Sequence, residues 1–187
     1  MDHTALLLID LQRDFLEANG RMAVSAADAS QVVSLANRLI QHGESAGWKL
    51  IFIKNEYPES DLIGNLFRKG AAIEGSRGAE LAPRVIVPFS GLVLTKSRPD
   101  AFTNPEVEET LTSGAVHQLV VLGVMAEGCV RATVKGAIGR GFGVTVVSDA
   151  VASSRGLFWR FGMRSMKNAG AIAKVSSEIL RPCPSPP

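Results

Sequence analysis

Apolar residues along this chain gather in short unbroken runs, with stretches of helical spacing between them. Residues 4–10 (TALLLID) form the first run, a Leu/Ile stretch that ends in an acid, Asp10. Trp48–Lys54 (WKLIFIK), Leu92–Thr95 with Lys96 at its end, Leu119–Leu122, Gly143–Ser148 (GVTVVS) and Ala171–Val175 repeat the pattern. Runs of this length predict strands buried on both faces. Val32, Leu35, Ala36, Leu39 and Ile40 recur at helical spacing and predict a helix over about 27–42, closed by Gly43. Asn104, Pro105 and Glu106 supply a cap, a first-position proline and a first-turn acid for a second helix, which Gly114 stops. Val130, Thr133, Val134, Ala137 and Ile138 predict a third helix from Cys129 to near Gly141, and residues 157–169 a fourth. Residues 11–25 read as a loop turning at Asn19-Gly20, residues 55–90 as a long glycine- and proline-punctuated segment, and Ser176–Leu180 as a last turn.

Near-continuously apolar strands that alternate with helices imply a parallel sheet covered on both faces. The expected fold is therefore α/β: three layers, α/β/α, around a doubly wound six-stranded parallel sheet with right-handed crossovers. A chain of 187 residues with 46% hydrophobic content supports one core, so a single domain over residues 1–181 is expected. The tail 182–187, four prolines in six residues, is expected to be disordered.

Composition narrows the partners. With 20 basic and 18 acidic residues, the net charge of +2 gives little reason to expect nucleic acid. No apolar run approaches a membrane span, and residues 4–11 are too short and acid-tipped for a secretory signal. Two cysteines, Cys129 and Cys183, make no disulfide framework. The expectation is a soluble cytoplasmic protein that acts on a small molecule.

In open parallel sheets, ligands bind beyond the carboxyl ends of the strands. Asp10, Lys96 and the segment before Cys129 all fall at such ends. A cysteine opening a helix lies in positive potential, which favours thiolate. Asp10 suits a general base toward that thiol, and Lys96 would keep the carboxylate ionised. The irregular segment Val124–Gly128 can aim the N–H groups of Met125 and Cys129 at a carbonyl oxygen. Each position also has a structural reading: Asp10 as a turn cap, Lys96 as a solvated strand end, Cys129 as core.

The ordered set LLLIDLQRDF (Asp10, Gln12, Asp14, Phe15), GSRGAEL (75–81), LTKSRPDAF (Lys96, Ala101, Phe102) and GVMAEGCVRAT through VTVVSDAV resembles the isochorismatase-like cysteine hydrolase superfamily over residues 5–180. That superfamily includes nicotinamidases, N-carbamoylsarcosine amidases and ureidoacrylate amidases. The resemblance implies a Rossmann-like sheet, a Cys129-Asp10-Lys96 triad, and a cis peptide at Val124-Met125 that makes the Met125 N–H part of an oxyanion hole. It implies hydrolysis of a C–N bond in a small amide or ureido compound through a thioester on Cys129, and a homodimer or homotetramer. Gln12, Phe15, Asn55, Glu56, Tyr57, Arg131 and Trp159 are the expected substrate-facing residues, with Arg131 a candidate for a substrate carboxylate. Phe158, Trp159 and Phe161 suggest core packing, a subunit interface or a pocket lid.

Departures from the family pattern also inform. The Asp-x-His pair of nicotinamidase metal sites is absent from KNEYPESDL, and His3, His42 and His117 lie elsewhere, so no metal and no cofactor are expected. Ala126 replaces the usual Thr before the nucleophile, and Asp100-Ala101-Phe102 the usual Ser-Ala-Phe. A rival reading is a catalytically silent member that binds a partner or senses redox state through Cys129. A dinucleotide-binding module is disfavoured, because LQRDFLE after the first strand contains no glycine.

Overall fold

The structure, a computed structural model, describes residues 3–181; the proline-rich tail 182–187 lies outside the described residues. Six parallel strands form one sheet: β1 (Thr4–Ile9), β2 (Lys49–Asn55), β3 (Leu92–Lys96), β4 (Gln118–Val124), β5 (Gly143–Ala152) and β6 (Ile172–Lys174). Their spatial order is β3-β2-β1-β4-β5-β6, so the chain winds outward from β1 in one direction and then restarts on its other side at β4. The expected three-layer, doubly wound sheet is present. Its topological switch point lies between β1 and β4, which pair from Thr4↔Gln118 to Ile9↔Gly123.

Alternation of side chains along each strand divides the interior into two cores. Leu6 and Leu8 of β1, with Leu50, Phe52 and Leu122, pack beneath α2 (Ala26–Ser45), whose Val32, Ala36, Leu39 and Ile40 are buried. Ala5, Leu7 and Ile9 face the other layer, formed by α4 (Pro105–Ser113), α5 (Arg131–Gly139) and α6 (Gly156–Asn168). Each fully buried Leu or Ile contributes roughly 1.5–3 kcal/mol relative to exposure, so both cores hold the sheet flat-on between helices. α2 starts where Ser25 Oγ accepts from the Asp28 N–H at 3.1 Å, and α4 where Asn104 Oδ1 accepts from the Glu106 N–H at 3.0 Å.

Several boundaries differ from the sequence pattern for physical reasons. α2 passes through Gly43 to Ser45, because Gly43 packs against Leu50 and Trp48, and the chain turns at Gly47 with φ +71°. The loop after β1 contains a short helix, α1 (Arg13–Leu16). β5 continues past Ser148 to Ala152 although Ser148 and Asp149 interrupt its apolar run. Those polar groups are satisfied within the fold: Ser148 Oγ donates to the Lys174 carbonyl at 3.1 Å, and Asp149 accepts from the N–H and Oγ of Ser176, each at 2.7 Å. The last turn is a short helix, α7 (Ser176–Ile179).

The long β2-to-β3 connection crosses the carboxyl ends of β1 and β2. It carries α3 (Leu62–Phe67) and a single tight turn at Arg77–Ala79. Backbone bonds fasten it: Arg13 N–H to the Glu80 carbonyl, Ala82 N–H to Leu11, and Tyr57 N–H to Ala72, each at 2.9 Å. Asp14, buried, accepts from the Ala72 N–H at 2.8 Å and the Arg21 N–H at 3.2 Å.

Gly123 sits at the switch point with φ +127°, and a Cβ there would overlap the Ile9 carbonyl. Gly123→Ala should therefore cost about 3 kcal/mol or more in urea denaturation. Gly141→Ala, at φ +86° with open space around it, should cost only about 1 kcal/mol. Equal losses would mean that backbone conformation alone, and not the close approach of β1 and β4, sets the requirement.

Candidate active site

β1 delivers Asp10 at the switch point, in the left-handed region with φ 55°, a conformation Asp tolerates better than most residues. β2 delivers Asn55 as its last residue and β3 delivers Lys96 as its last, in register with each other. The three side chains meet out of solvent. Lys96 Nζ donates to Asp10 Oδ2 at 3.1 Å and to Asn55 Oδ1 at 2.6 Å. Asn55 Nδ2 donates to Asp10 Oδ2 at 2.6 Å and faces Cys129 Sγ at 3.4 Å. Asp10 Oδ1 is buried with no hydrogen-bond partner in this network, and the Cys129 thiol lies beside the carboxylate.

Cys129 lies on a wide turn, Ala126–Val130, with α5 beginning after it at Arg131. The turn breaks at Gly128, whose φ/ψ of −109°/−110° is not helical. The Val124–Met125 peptide bond immediately upstream is cis.

Electrostatics here run against the sequence expectation of a standing thiolate. Burial, aided by the Asp10 carboxylate, pushes the Cys129 thiol up to about 11 despite the pull of Lys96. Burial also pushes the Asp10 carboxyl up, against the pull of Lys96. For Lys96, burial opposes the charge, but the Asp10 carboxylate and the sulfur outweigh it and the net direction is upward. The sulfur is thus held as a thiol, next to a carboxyl group that accepts from Lys96.

A cavity of about 190 Å³ opens onto the sulfur, lined by Asp10, Phe15, Met22, Asn55, Tyr57, Arg68, Val124, Met125, Glu127, Gly128 and Cys129. Of the substrate-facing residues expected from sequence, it brings together Phe15, Asn55 and Tyr57. The Tyr57 ionisation is pushed up by burial and by the neighbouring sulfur and Asp10, so its hydroxyl stays protonated.

The other four lie elsewhere. Gln12 is fully buried behind the site: Nε2 donates to the carbonyls of Asn55 (2.7 Å) and Ala79 (2.8 Å), and Oε1 accepts from the Asn55 N–H at 2.8 Å. It positions Asn55 and has no free group for a substrate. Glu56 follows Asn55 and so points the opposite way, ion-paired with Lys54 at 2.7 Å. Arg131 donates to the Glu127 carbonyl at 2.9 Å and lies over Phe161, away from the cavity. Trp159 is held by an Nε1 bond to the Val151 carbonyl at 2.9 Å, beside a separate surface depression near Asp28 and Arg155. Phe158 and Phe161 are exposed, at 39% and 57%, and neither is buried in the core. Sequence reasoning missed Met22, Arg68 and Glu127 as lining residues; all come from irregular segments, where no periodicity marks which side chain faces inward.

Residues 4–177 match the isochorismatase domain. The chain belongs to the isochorismatase family. Its isochorismatase-family relatives include a probable inactive nicotinamidase of Arabidopsis thaliana, 29% identical over 90% of this chain and 90% of that protein. A nicotinamidase of Escherichia coli (strain K12) is 28% identical over 80% of this chain and 83% of its own length. Among solved structures, a pyrazinamidase of Pyrococcus horikoshii in complex with zinc matches with a TM-score of 0.83 and 24% identity, over 92% of this chain and 99% of that one. The isochorismatase-family chain described here does not fit such a metal. Structural or catalytic zinc needs three or four converging donors, and among the described residues no three His, Cys, Asp or Glu side chains form such a group.

The resting thiol is directly measurable. A thiol held at about 11, from an ordinary 9.0, has ~100-fold less thiolate near neutral pH. Alkylation of Cys129 by iodoacetamide, followed by mass spectrometry from pH 7 to 12, should climb toward a midpoint near 11. A midpoint below 8 would show that Lys96 and the helix, not burial, dominate the sulfur.

Proposed function

We propose that this chain is a cysteine hydrolase that cleaves the C–N bond of a small amide or ureido compound, without a metal in the chemical step. The supporting observation is a single juxtaposition: a buried carboxylate with one unpaired oxygen, Asp10 Oδ1, beside the Cys129 thiol, while its other oxygen is taken by Lys96 and Asn55. The nicotinamidase relative supports the amide class.

The geometry suits a sequence in which the proton always has a place to go. Asp10 Oδ1 takes the thiol proton as Sγ attacks the substrate carbonyl, so the thiolate exists only during attack and the high thiol pKa is no obstacle. The N–H groups of Met125 and Cys129 receive the developing oxyanion. Asp10 returns the proton to the departing nitrogen, the C–N bond breaks, and ammonia or an amine leaves a thioester on Cys129. Asp10 then deprotonates a water that attacks the thioester. The acid departs, and the proton goes back to sulfur. Lys96 keeps Asp10 able to carry charge while buried, and Asn55 holds carboxylate and sulfur in common register.

Cys129→Ala should abolish ammonia release from every amide that the unaltered chain turns over, a drop of at least ~1000-fold. Rapid quenching followed by intact-mass measurement should find an acyl adduct on Cys129. Turnover retained in the alanine variant would refute the mechanism.

A further inference from the structure

Arg68 caps α3 and is the cation among the residues that line the thiol cavity. Its guanidinium lies over the Tyr57 ring, 3.8 Å from the centroid, and the sulfur of Cys129 lies next to the hydroxyl of that same tyrosine. Nη2 is engaged, donating to Asp61 Oδ2 and to Asn65 Oδ1 at 2.9 Å. Nε is buried and donates to no group among the described residues. A charged N–H deprived of both water and acceptor is costly, and native structures rarely leave one so.

Of the other polar groups of the cavity wall, Asp10 Oδ1 is also without a partner, but a carboxylate oxygen offers a ligand carboxylate no donor, and the Tyr57 hydroxyl lies beside the sulfur. Asp10 Oδ2, Asn55 and Lys96 bind one another. Glu127 turns its carboxylate to the end of β5, accepting from Ser153 Oγ at 2.6 Å and Ser154 Oγ at 3.3 Å. Phe15, Met22, Val124 and Met125 make the rest of the wall largely apolar. A ligand oxygen that met the Arg68 Nε–H would do so in a water-poor setting, where charge-assisted bonds are about twice as strong as neutral ones.

We infer that Arg68 is the specificity-determining residue of this site and that the substrates are small amides carrying a carboxylate, which the Nε–H binds while Cys129 attacks the amide carbonyl. This rests on the amide-hydrolase reading above. Asp61, itself half-exposed, fixes the guanidinium through Nη2, which leaves Nε without a protein partner among the described residues. Arg131, offered by sequence for this task, is not at the cavity.

The test uses the monoamides of malonic, succinic and glutaric acid, each paired with the straight-chain amide that lacks the acid. The unaltered chain should favour the acid members in kcat/KM. Arg68→Met should raise KM for those ~10- to 100-fold, with kcat and the neutral amides little changed, and Arg68→Lys should recover part of the loss. Equal losses on acid and neutral amides would mean that Arg68 only holds α3 in place and would overturn the inference, as would a neutral preference in the unaltered chain. Calorimetric titration of the three diacids into Cys129→Ala needs no turnover. Binding that weakens by a similar factor on adding Arg68→Met supports the carboxylate subsite even if no amide is hydrolysed, a result that would count against the hydrolase reading alone. Absence of diacid binding overturns the subsite and leaves neutral-amide hydrolysis untouched.

Discussion

The ion pair between Lys96 and Asp10 constrains everything at the carboxyl edge of this sheet, because its side chains are 0% and 2% exposed. Removing two charges from water costs several kcal/mol per ion, and attraction between them offsets that only when further hydrogen bonds complete the arrangement. Asn55 completes it, accepting from Lys96 and donating to Asp10. Loss of one member strands a buried charge, so the three residues hold as a unit. Asp10 Oδ1 is left without a partner on a carboxyl group that lies beside the thiol, and the network's chemical capacity resides in that group.

The DLQRDF stretch supplies the supports for that unit, and its residues divide the labour. Asp10 turns back from β1 through a left-handed residue. Gln12 directs all its amide hydrogen bonds to the Asn55 backbone and the Ala79 carbonyl. Asp14 accepts from Ala72 and Arg21 and thereby pins the long connection over the sheet. A buried glutamine and a buried aspartate with full sets of partners are costly to replace, which gives this segment a structural role as demanding as its chemical one. The same connection carries Tyr57 and Arg68 into the cavity wall.

Family membership and chemistry are separate levels of statement for this chain. Residues 4–177 match the isochorismatase domain, while relatives at similar identity are named as a nicotinamidase and as a probable inactive nicotinamidase. The fold positions strand ends; the side chains there decide the chemistry. Here the donor set disfavours a metal, the sulfur is a resting thiol, and the cavity is largely apolar with one underused guanidinium.

Hydrophobic periodicity records burial along a local stretch, and six strands, the main helices, the parallel doubly wound sheet and the placement of Asp10, Lys96 and the segment before Cys129 at strand ends were legible from it. Asn55 was legible as a residue following the second strand, but its bridging role between lysine, aspartate and sulfur was not. That role depends on three strands adjacent in space and distant in sequence. The extension of β5 through Ser148 and Asp149 was hidden because the partners that satisfy those polar groups come from β6 and α7. Gln12, Glu56, Arg131 and Trp159 were expected to face substrate and do not line the thiol cavity, while Arg68 does: side chains on irregular segments point where long-range hydrogen bonds hold them. Sequence by itself determined the layers and brought the reactive groups to one edge of the sheet. Tertiary structure decided their protonation, their partners and the walls of the cavity, because desolvation and hydrogen bonding depend on neighbours that local pattern does not encode.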